Sequence, residues 1–461
     1  MRNPARVIIS GVSSDSGKTI TTLCLIAGLK SLNKSVSAFK IGPDFIDPTH
    51  HRKFTRSFNL DPVMSSEEFV KFLFLSESAD FNVIEGVMGV FDGETAGVST
   101  AKMSQILSSP IILCVDAEKL GESIRGIVKG FLKEIDIKGV VATKISSQAH
   151  KEIIKKALEK EGIELLSAIP KSAEFQFPSR HLGLYLADEL ETEKEKFESA
   201  FFNFFDTKKI LDIFEKSKEN EIDTDPGWYE KFFGPVKNKL KGKKFAFLKL
   251  KYLQFIYPEN VKILDIMGAE SHIIDENTIS QSKKQRFDFL IIPGGYPELY
   301  GKEIEEIKRE ISELIGNSCS VIAECGGLEI LSEKLIYEEN EMPMLNVFPL
   351  SIKIEKKLQA LGWRKIILPS GDELKGHEFH YGKILNQKEK ITKIFRLYDI
   401  YGNPKGEDGF LRGKFLGSWT HLYFPSNPSG ILRVFRSLEE QMLEGKMSKA
   451  GEVFEPQQKH R

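Results

Sequence analysis

Two short runs of residues have the types and spacing to do chemistry. GVSSDSGKT, Gly11–Thr19, follows an apolar run and opens a helix-like one, and AECGG, Ala323–Gly327, places a cysteine between an apolar run and LEIL. In the first, a loop of Gly11, Ser13, Ser14, Asp15, Ser16 and Gly17 could turn backbone N–H groups and a helix N-terminus toward phosphate oxygens. Lys18 would reach the terminal phosphates of ATP, and the Thr19 hydroxyl would face a magnesium ion. The usual phosphate-loop pattern requires glycine where this chain has Val12, and Gly11 stands one residue further out. The strict pattern fails, yet an ordinary strand-to-helix turn leaves Lys-Thr at the helix start unexplained.

In the second run, Cys325 followed by Gly326 and Gly327 has the strand–nucleophile–helix order of hydrolase turns. A thiol at a helix N-terminus is expected below its usual pKa of about 8.5, which enriches the thiolate. Cys24, Cys114 and Cys319 read as structural. A cysteine nucleophile needs a base and an oxyanion site. His421, after the strand-like run FLGSWT, could be the base, and Gly294 and Gly295 of PGGYPE could join Gly326 in the oxyanion site. The chain has nine histidines, so spacing alone does not choose His421 over His377 or His380.

Two acidic groups could complete the nucleotide site. KIGPDFIDPTHH brings Lys40, Asp44 and Asp47 into one loop, and Glu85 ends the run FNVIEG. Ligands of parallel sheets bind outside the carboxyl ends of the strands, so these groups should converge beside the phosphate loop. Lys40 would then meet ATP, while Thr19, Asp47 and Glu85 supply the oxygen ligands that magnesium prefers. Asp44 and Asp47 equally suit turn caps beside Pro43 and Pro48. Three glycines in EGVMGVFDG indicate close backbone approach to a ligand.

The elements that must position these groups are legible as apolar runs alternating with amphipathic stretches: RVIISGV, SVSAFKIG, FNVIEGV, PIILCVDA and GVVATKI, then a second series from KKFAFLKL. That pattern predicts an α/β chain of two domains, each a mostly parallel sheet covered by helices, the first resembling P-loop NTPases. The limits read as 1–190, a charged helical linker at 191–243, a second domain at 244–445 and a polar tail at 446–461.

Composition restricts the partners. The 461 residues are 41% hydrophobic and 28% charged, with 65 basic against 66 acidic side chains and a formal net charge of -1. That balance gives no argument for nucleic acid or an anionic membrane as partner. The N-terminus lacks a signal-peptide pattern, no stretch approaches the about 20 apolar residues of a membrane helix, and the cysteines show no metal-ligand spacing. A cytoplasmic location is expected.

Beyond the two motifs, the chain carries PSRHLGL at Pro178–Leu184, YPEN at Tyr257–Asn260, LGWR at Leu361–Arg364, GHEFHY at Gly376–Tyr381 and HLYFPSNP at His421–Pro428. Together these resemble the cobyrinic acid a,c-diamide synthase family, in which a dethiobiotin-synthetase-like ATPase domain is fused to a class I glutamine amidotransferase domain. The resemblance covers nearly the whole length and includes the shifted phosphate loop. It implies Cys325 as nucleophile and His421 as its base, with ATP and glutamine as co-substrates, magnesium as cofactor and a corrinoid as the small-molecule substrate. The implied reaction turns the a and c acetates of cobyrinic acid into amides through acyl phosphates during cobalamin synthesis.

Close relatives do the same on hydrogenobyrinic acid or nickel-sirohydrochlorin, and the motifs do not separate them. A nucleotide-switched binding protein with a degenerate second domain is the reading of another class, against which intact Cys325 and His421 argue. Many class I domains have glutamate two residues after the histidine; here Tyr423 stands there, so a Cys–His dyad is implied. Thr143 replaces an asparagine that could read adenine, which affects nucleotide choice, and Leu250 stands where an acidic residue is common. Arg364, His377 and His380 could frame the macrocycle or pack at a domain interface. Arg180 and His181 could contact substrate or close the ATPase domain. The resemblance also makes a homodimer a reasonable expectation.

Overall fold

The computed structural model describes residues 3–172 and 194–451, with side chains described to residue 441. The chain forms two compact units, Met1–Trp228 and Tyr229–Arg461. Among the described residues no helix is long and apolar enough to cross a membrane.

In the first unit, seven strands form one sheet: β1 (Ala5–Gly11), β2 (Val36–Ile41), β3 (Ser57–Leu60), β4 (Phe81–Glu85), β5 (Ile111–Asp116), β6 (Ile137–Ile145) and β7 (Leu165–Pro170). Their spatial order is β3-β2-β4-β1-β5-β6-β7 and every pairing is parallel. All seven residues of β1 are buried, as its unbroken apolar run requires of a strand covered on both faces. The chain winds away from β1 in both directions, which opens a crevice at its carboxyl end. Register sets what stands around that crevice: Glu85 of β4 lies beside Ile9 of β1 on one side and Lys40 of β2 on the other.

The segment read from sequence as a linker contains helices Lys194–Phe204, Thr207–Ser217 and Trp228–Phe233. The first two do more than connect. Phe197, Phe201, Phe205, Ile210 and Phe214 are buried in one cluster with Leu23, Cys24 and Leu25 of the helix Lys18–Ser31, so these helices complete a face of the first sheet. Each such phenylalanine contributes roughly 1.5–3 kcal/mol of burial. Amphipathic periodicity shows which face of a helix is buried and not which core buries it, so the sequence left these helices outside the domain.

The second unit contains β8 (Lys244–Leu248), β9 (Glu270–Ile274), β10 (Phe287–Ile292), β11 (Ser318–Glu324), β12 (Lys334–Tyr337), β13 (Asn340–Pro343), β14 (Leu350–Ile354), β15 (Ala360–Ile367), β16 (Glu373–His380), β17 (Gly382–Gln387), β18 (Thr392–Tyr398), β19 (Pro404–Arg412), β20 (Phe415–Ser418) and β21 (Thr420–Tyr423). Ten of them form a sheet ordered β21-β16-β15-β18-β19-β20-β11-β10-β8-β9, and β13-β12-β14-β17 form a smaller one. The two-domain α/β class holds, but the second sheet is parallel only from β9 to β20. From β20 to β21 every pairing is antiparallel. The cause lies in the connections: beyond Leu331 no helix of more than one turn separates successive strands as far as β21, and short links join antiparallel neighbours. The last helix, Pro428–Gly451, runs beyond residue 445 into the segment read as a polar tail, and residues 452–461 lie outside those described.

Candidate active site

The phosphate-loop motif forms the connection from β1 to the helix Lys18–Ser31. Gly17 caps that helix in the left-handed region, φ 89°, with no side chain satisfying the first N–H groups. That leaves a helix N-terminus available to an anion. An added Cβ on Gly17 would lie 2.6 Å from the Thr143 methyl carbon, so both the φ and the close packing require glycine. The Lys18 ammonium donates to the Ser13 carbonyl at 3.0 Å, and Ser16 Oγ donates to the same oxygen at 2.9 Å. Lys18 is thereby folded over its own loop. Thr143 Oγ1 donates to the Ser16 carbonyl at 3.2 Å, so it braces the loop in addition to lining its pocket.

The acidic groups meet this loop. The Thr19 hydroxyl lies 2.7 Å from Glu85 Oε1 and 3.4 Å from Asp47 Oδ1. The Lys40 ammonium donates to Asp47 at 2.5 Å, to Glu85 at 3.1 Å and to the Gly86 carbonyl at 3.0 Å. His51, to which the sequence reading gave no role, holds the other Glu85 oxygen at 2.7 Å and Ser57 at 3.0 Å. Asp44 accepts the Ile46 N–H at 2.8 Å, so the turn-cap reading is right for Asp44, whereas Asp47 faces Lys40. Thr19, Lys40, Asp44, Asp47 and Glu85 line a cleft of about 900 Å³ with Ser14, Asp15 and Gly17, within the size range of ligand pockets.

Charge is concentrated there. Burial and the neighbouring Lys40 pull the Lys18 ammonium below its usual range. Burial would do the same to Lys40, but Asp47, Glu85 and Asp44 overrule it and hold the ammonium above. Burial and the Asp47 charge push Asp44 up to about 7, against Lys40, although a third of its side chain is exposed at the cleft mouth. Asp47 is held low: Lys40 outweighs its burial. Thr19, Asp47 and Glu85 thus present converging oxygens beside the phosphate loop, a donor set that suits magnesium, which takes few protein ligands and completes its shell with water and phosphate.

The cysteine motif forms the connection from β11 to a helix, Gly326–Leu331. Cys325 sits at φ 49° and ψ −110°, a strained position for a side-chain-bearing residue and the mark of a nucleophile turn. Its N–H donates to the Ser418 carbonyl at 2.7 Å. Phe255, Tyr296, Glu298, Cys325, Glu329 and Phe379 line a small pocket over the thiol. One expectation is reversed: burial pushes the Cys325 thiol well up, Glu329, Glu298 and Glu324 push the same way, and the Gly326 N–H opposes them too weakly. A helix of six residues does not outweigh that burial. Burial thus favours the neutral thiol over the thiolate, and a nucleophile at this position calls for a base.

Of the three histidines spacing could not separate, His421 is the one that shares the gap at Gly294 with Cys325. An ideal Cβ on Gly294 would lie 3.2 Å from Cys325 Cβ, 3.2 Å from His421 Nε2 and 2.3 Å from His421 Cε1, so both side chains border the space that Gly294 leaves open, while the thiol itself points to the Phe379 carbonyl at 3.7 Å. Gly295 N would lie 2.8 Å from a Cβ on Gly326, which puts these two backbones side by side near the thiol. Gly294→Ala should push the imidazole aside and lower glutamine hydrolysis by about 10²-fold, the scale of a 1 Å misplacement. Measured with ammonia in place of glutamine, the variant should keep its synthesis rate.

His380 borders the pocket, but its ring nitrogens face the Gly382 carbonyl at 2.9 Å and Glu378 at 3.1 Å, and its ring stacks on Trp419 with centroids 4.2 Å apart. Arg364 is likewise engaged, donating to Glu378 at 2.5 Å. His377 lies opposite His421 in the β16–β21 register and is buried. Arg180 and His181 lie outside the described residues.

The strand that carries His421 is clamped by side chains the sequence reading passed over. Asp408 accepts the N–H groups of Trp419 and Thr420 and the hydroxyls of Ser418 and Thr420, all within 3.1 Å. Asn260 of YPEN donates to the Leu422 carbonyl and accepts the Phe424 N–H, both at 2.8 Å.

Residues 7–184 match a CobQ/CobB/MinD/ParA nucleotide binding domain, and residues 244–429 match a CobB/CobQ-like glutamine amidotransferase domain. A cobyrinate a,c-diamide synthase of Caldanaerobacter subterraneus subsp. tengcongensis is 32% identical over 92% of this chain and 96% of that one. The chain belongs to the cobyrinate a,c-diamide synthase family. Family members of the same name in Thermoplasma volcanium, 34% identical, and Methanocaldococcus jannaschii, 33% identical, also span 92% of this chain, covering 94% and 97% of their own. Among solved structures, the cell division protein ftsY of Thermotoga maritima aligns with 43% of this chain and 69% of its own, at 15% identity and a TM-score of 0.31, too distant a likeness to add to the fold described above.

As in its family, this chain is a glutamine-hydrolysing ligase by its two domains, and the buried His377, paired with His421 across β16 and β21, gives it a pH signature. Burial, then His421 and Arg364, hold the His377 imidazole down to about 3 from 6.5. The unfolded chain therefore binds a proton that the native site refuses. Stability from this group is complete above pH 6.5 and erodes as pH falls toward about 3, by an amount on the order of a few kcal/mol. Urea midpoints measured from pH 8 to pH 4 should fall less steeply for His377→Gln than for the natural protein, and equal slopes would contradict this assignment.

Proposed function

We propose that this chain converts the a and c acetate carboxylates of cobyrinic acid into amides, using ATP and the side-chain nitrogen of glutamine. One observation carries the reading: both sites keep their reactive residues in a chain that resembles cobyrinate a,c-diamide synthases along 92% of its length. Forming an amide from a free carboxylate is uphill, and ammonia in neutral water is mostly the non-nucleophilic ammonium ion. A carboxylate activated by ATP and ammonia released from glutamine within the same protein remove both obstacles.

In the second unit, the Cys325 thiol transfers its proton to His421 and attacks the amide carbon of glutamine. The N–H groups of Gly295 and Gly326 meet the oxyanion, with Gly294 leaving room for the imidazole. Collapse expels ammonia with the proton returned by His421, and water activated by His421 then cleaves the thioester to release glutamate. Glu298 and Glu329 offer carboxylates to the α-ammonium of glutamine. In the first unit, a macrocycle carboxylate attacks the γ-phosphorus of ATP, ADP departs, and ammonia displaces phosphate from the acyl phosphate. Lys18 unfolds from the Ser13 carbonyl to meet the transferring phosphoryl group. Thr19, Asp47 and Glu85 would hold magnesium, which when bound neutralises phosphate charge. Asp44, Arg364, His377 and His380 stay as candidate macrocycle contacts, as do Arg180 and His181, which lie outside the described residues. A cytoplasmic homodimer is the setting that fits this reading.

The test is mass analysis of the product after incubation with ATP, magnesium, glutamine and, in parallel, cobyrinic acid, hydrogenobyrinic acid and nickel-sirohydrochlorin. Two replacements of OH by NH₂ on cobyrinic acid support the reading. Conversion of another macrocycle instead reassigns the substrate, and conversion of none overturns the reaction.

A further inference from the structure

We infer that Glu324, the residue immediately before the nucleophile, is the positioning carboxylate of a Cys325–His421–Glu324 triad. This rests on the glutamine-hydrolysing role proposed for the second unit. Sequence placed no carboxylate behind His421, because the position two residues on is Tyr423. The structure places one from another strand. Glu324 Oε2 lies 3.7 Å from His421 Nδ1, with both side chains buried, 7% and 1% exposed. Nε2, the other ring nitrogen, is the one near Gly294 and Cys325. The carboxylate thus stands at Nδ1 while Nε2 faces the gap that the Cys325 side chain also borders, the order in which a carboxylate can fix the imidazole and stabilise its protonated form.

Two further features make this more than proximity. A buried carboxylate is costly unless it is paired, and among the described residues His421 is the sole basic group within ion-pair distance of Glu324. The other oxygen, Oε1, accepts the Leu422 N–H at 3.0 Å, which fixes the carboxylate against the strand carrying His421. The distance of 3.7 Å is longer than a hydrogen bond, as catalytic contacts often are before substrate tightens them. Successive strand residues point to opposite faces, so Glu324 and Cys325 would ordinarily diverge. The positive φ of Cys325 breaks the alternation at the end of β11 and lets sequence neighbours reach opposite ends of one ring.

Glu324→Gln separates charge from packing, since its amide oxygen can still accept the Leu422 N–H. We expect the kcat for glutamine hydrolysis to fall on the order of 10²-fold, KM for glutamine to hold within about twofold, and ammonia-dependent synthesis to persist. Glu324→Asp, which keeps the charge, should retain more activity than Glu324→Gln. A Glu324→Gln protein with unimpaired kcat, one less impaired than Glu324→Asp, or one that loses ammonia-dependent synthesis equally would overturn the assignment. Natural protein that hydrolyses no glutamine would sink the functional reading and the triad with it, whereas hydrolysis by the natural protein with Glu324→Gln unimpaired would sink the triad alone.

Discussion

Replacing Cys325 by serine should abolish synthesis from glutamine, by about 10⁴-fold or more, and leave synthesis from concentrated ammonia at alkaline pH near its natural rate. The separation follows from placement. Cys325 directly follows β11 in the second unit, while Lys18, Thr19, Lys40, Asp47 and Glu85 line one cleft in the first. The thiol is buried and held as a thiol, so attack depends on His421 removing its proton; serine at the same strained turn has a far less acidic hydroxyl and no route to a comparable nucleophile. Loss of both activities together would mean that Cys325 serves the fold or the amidation itself.

Lys18→Ala should remove synthesis from either nitrogen donor, by about 10²–10³-fold or more, because no acyl phosphate forms without the cation at the phosphate loop. In the structure this ammonium is buried, pulled below its usual range and, among the described residues, bonded to the Ser13 carbonyl alone, so it has little to hold it there once phosphate oxygens arrive. Lys40 cannot replace it, being fixed between Asp47, Glu85 and the Gly86 carbonyl. Glutamine hydrolysis by Lys18→Ala, assayed with macrocycle present, reports whether the second unit is still folded. Ammonia-dependent synthesis that survives the change would show that the phosphate loop is assigned wrongly.

Local order carried most of the site in the sequence. A strand, a small-residue turn and a helix are contiguous, so GVSSDSGKT and AECGG announced their geometry, and the carboxyl-end rule brought Lys40, Asp47 and Glu85 to the loop. The strand–helix alternation likewise gave the first sheet. What failed depended on long-range pairing. His377 and His421 face each other across β16 and β21, so only their register and the gap at Gly294 distinguish them. Glu324 drew no role from the sequence because the backbone reversal at Cys325 that brings it behind the imidazole is not written in residue type. Asp408 and Asn260 reach the catalytic strand from 12 and 164 positions away along the chain. The thiol pKa went the wrong way because the sequence shows a helix start and hides the depth of burial around it.

The most direct test of coupled glutamine hydrolysis and ATP-driven amidation is one incubation with cobyrinic acid, ATP, magnesium and glutamine labelled with ¹⁵N in its side-chain amide, in unlabelled ammonium buffer. The diamide should carry ¹⁵N at both new positions, with one ADP and one glutamate formed for each. Amides carrying the buffer's nitrogen, or glutamate released with no amide and no ADP, would contradict it.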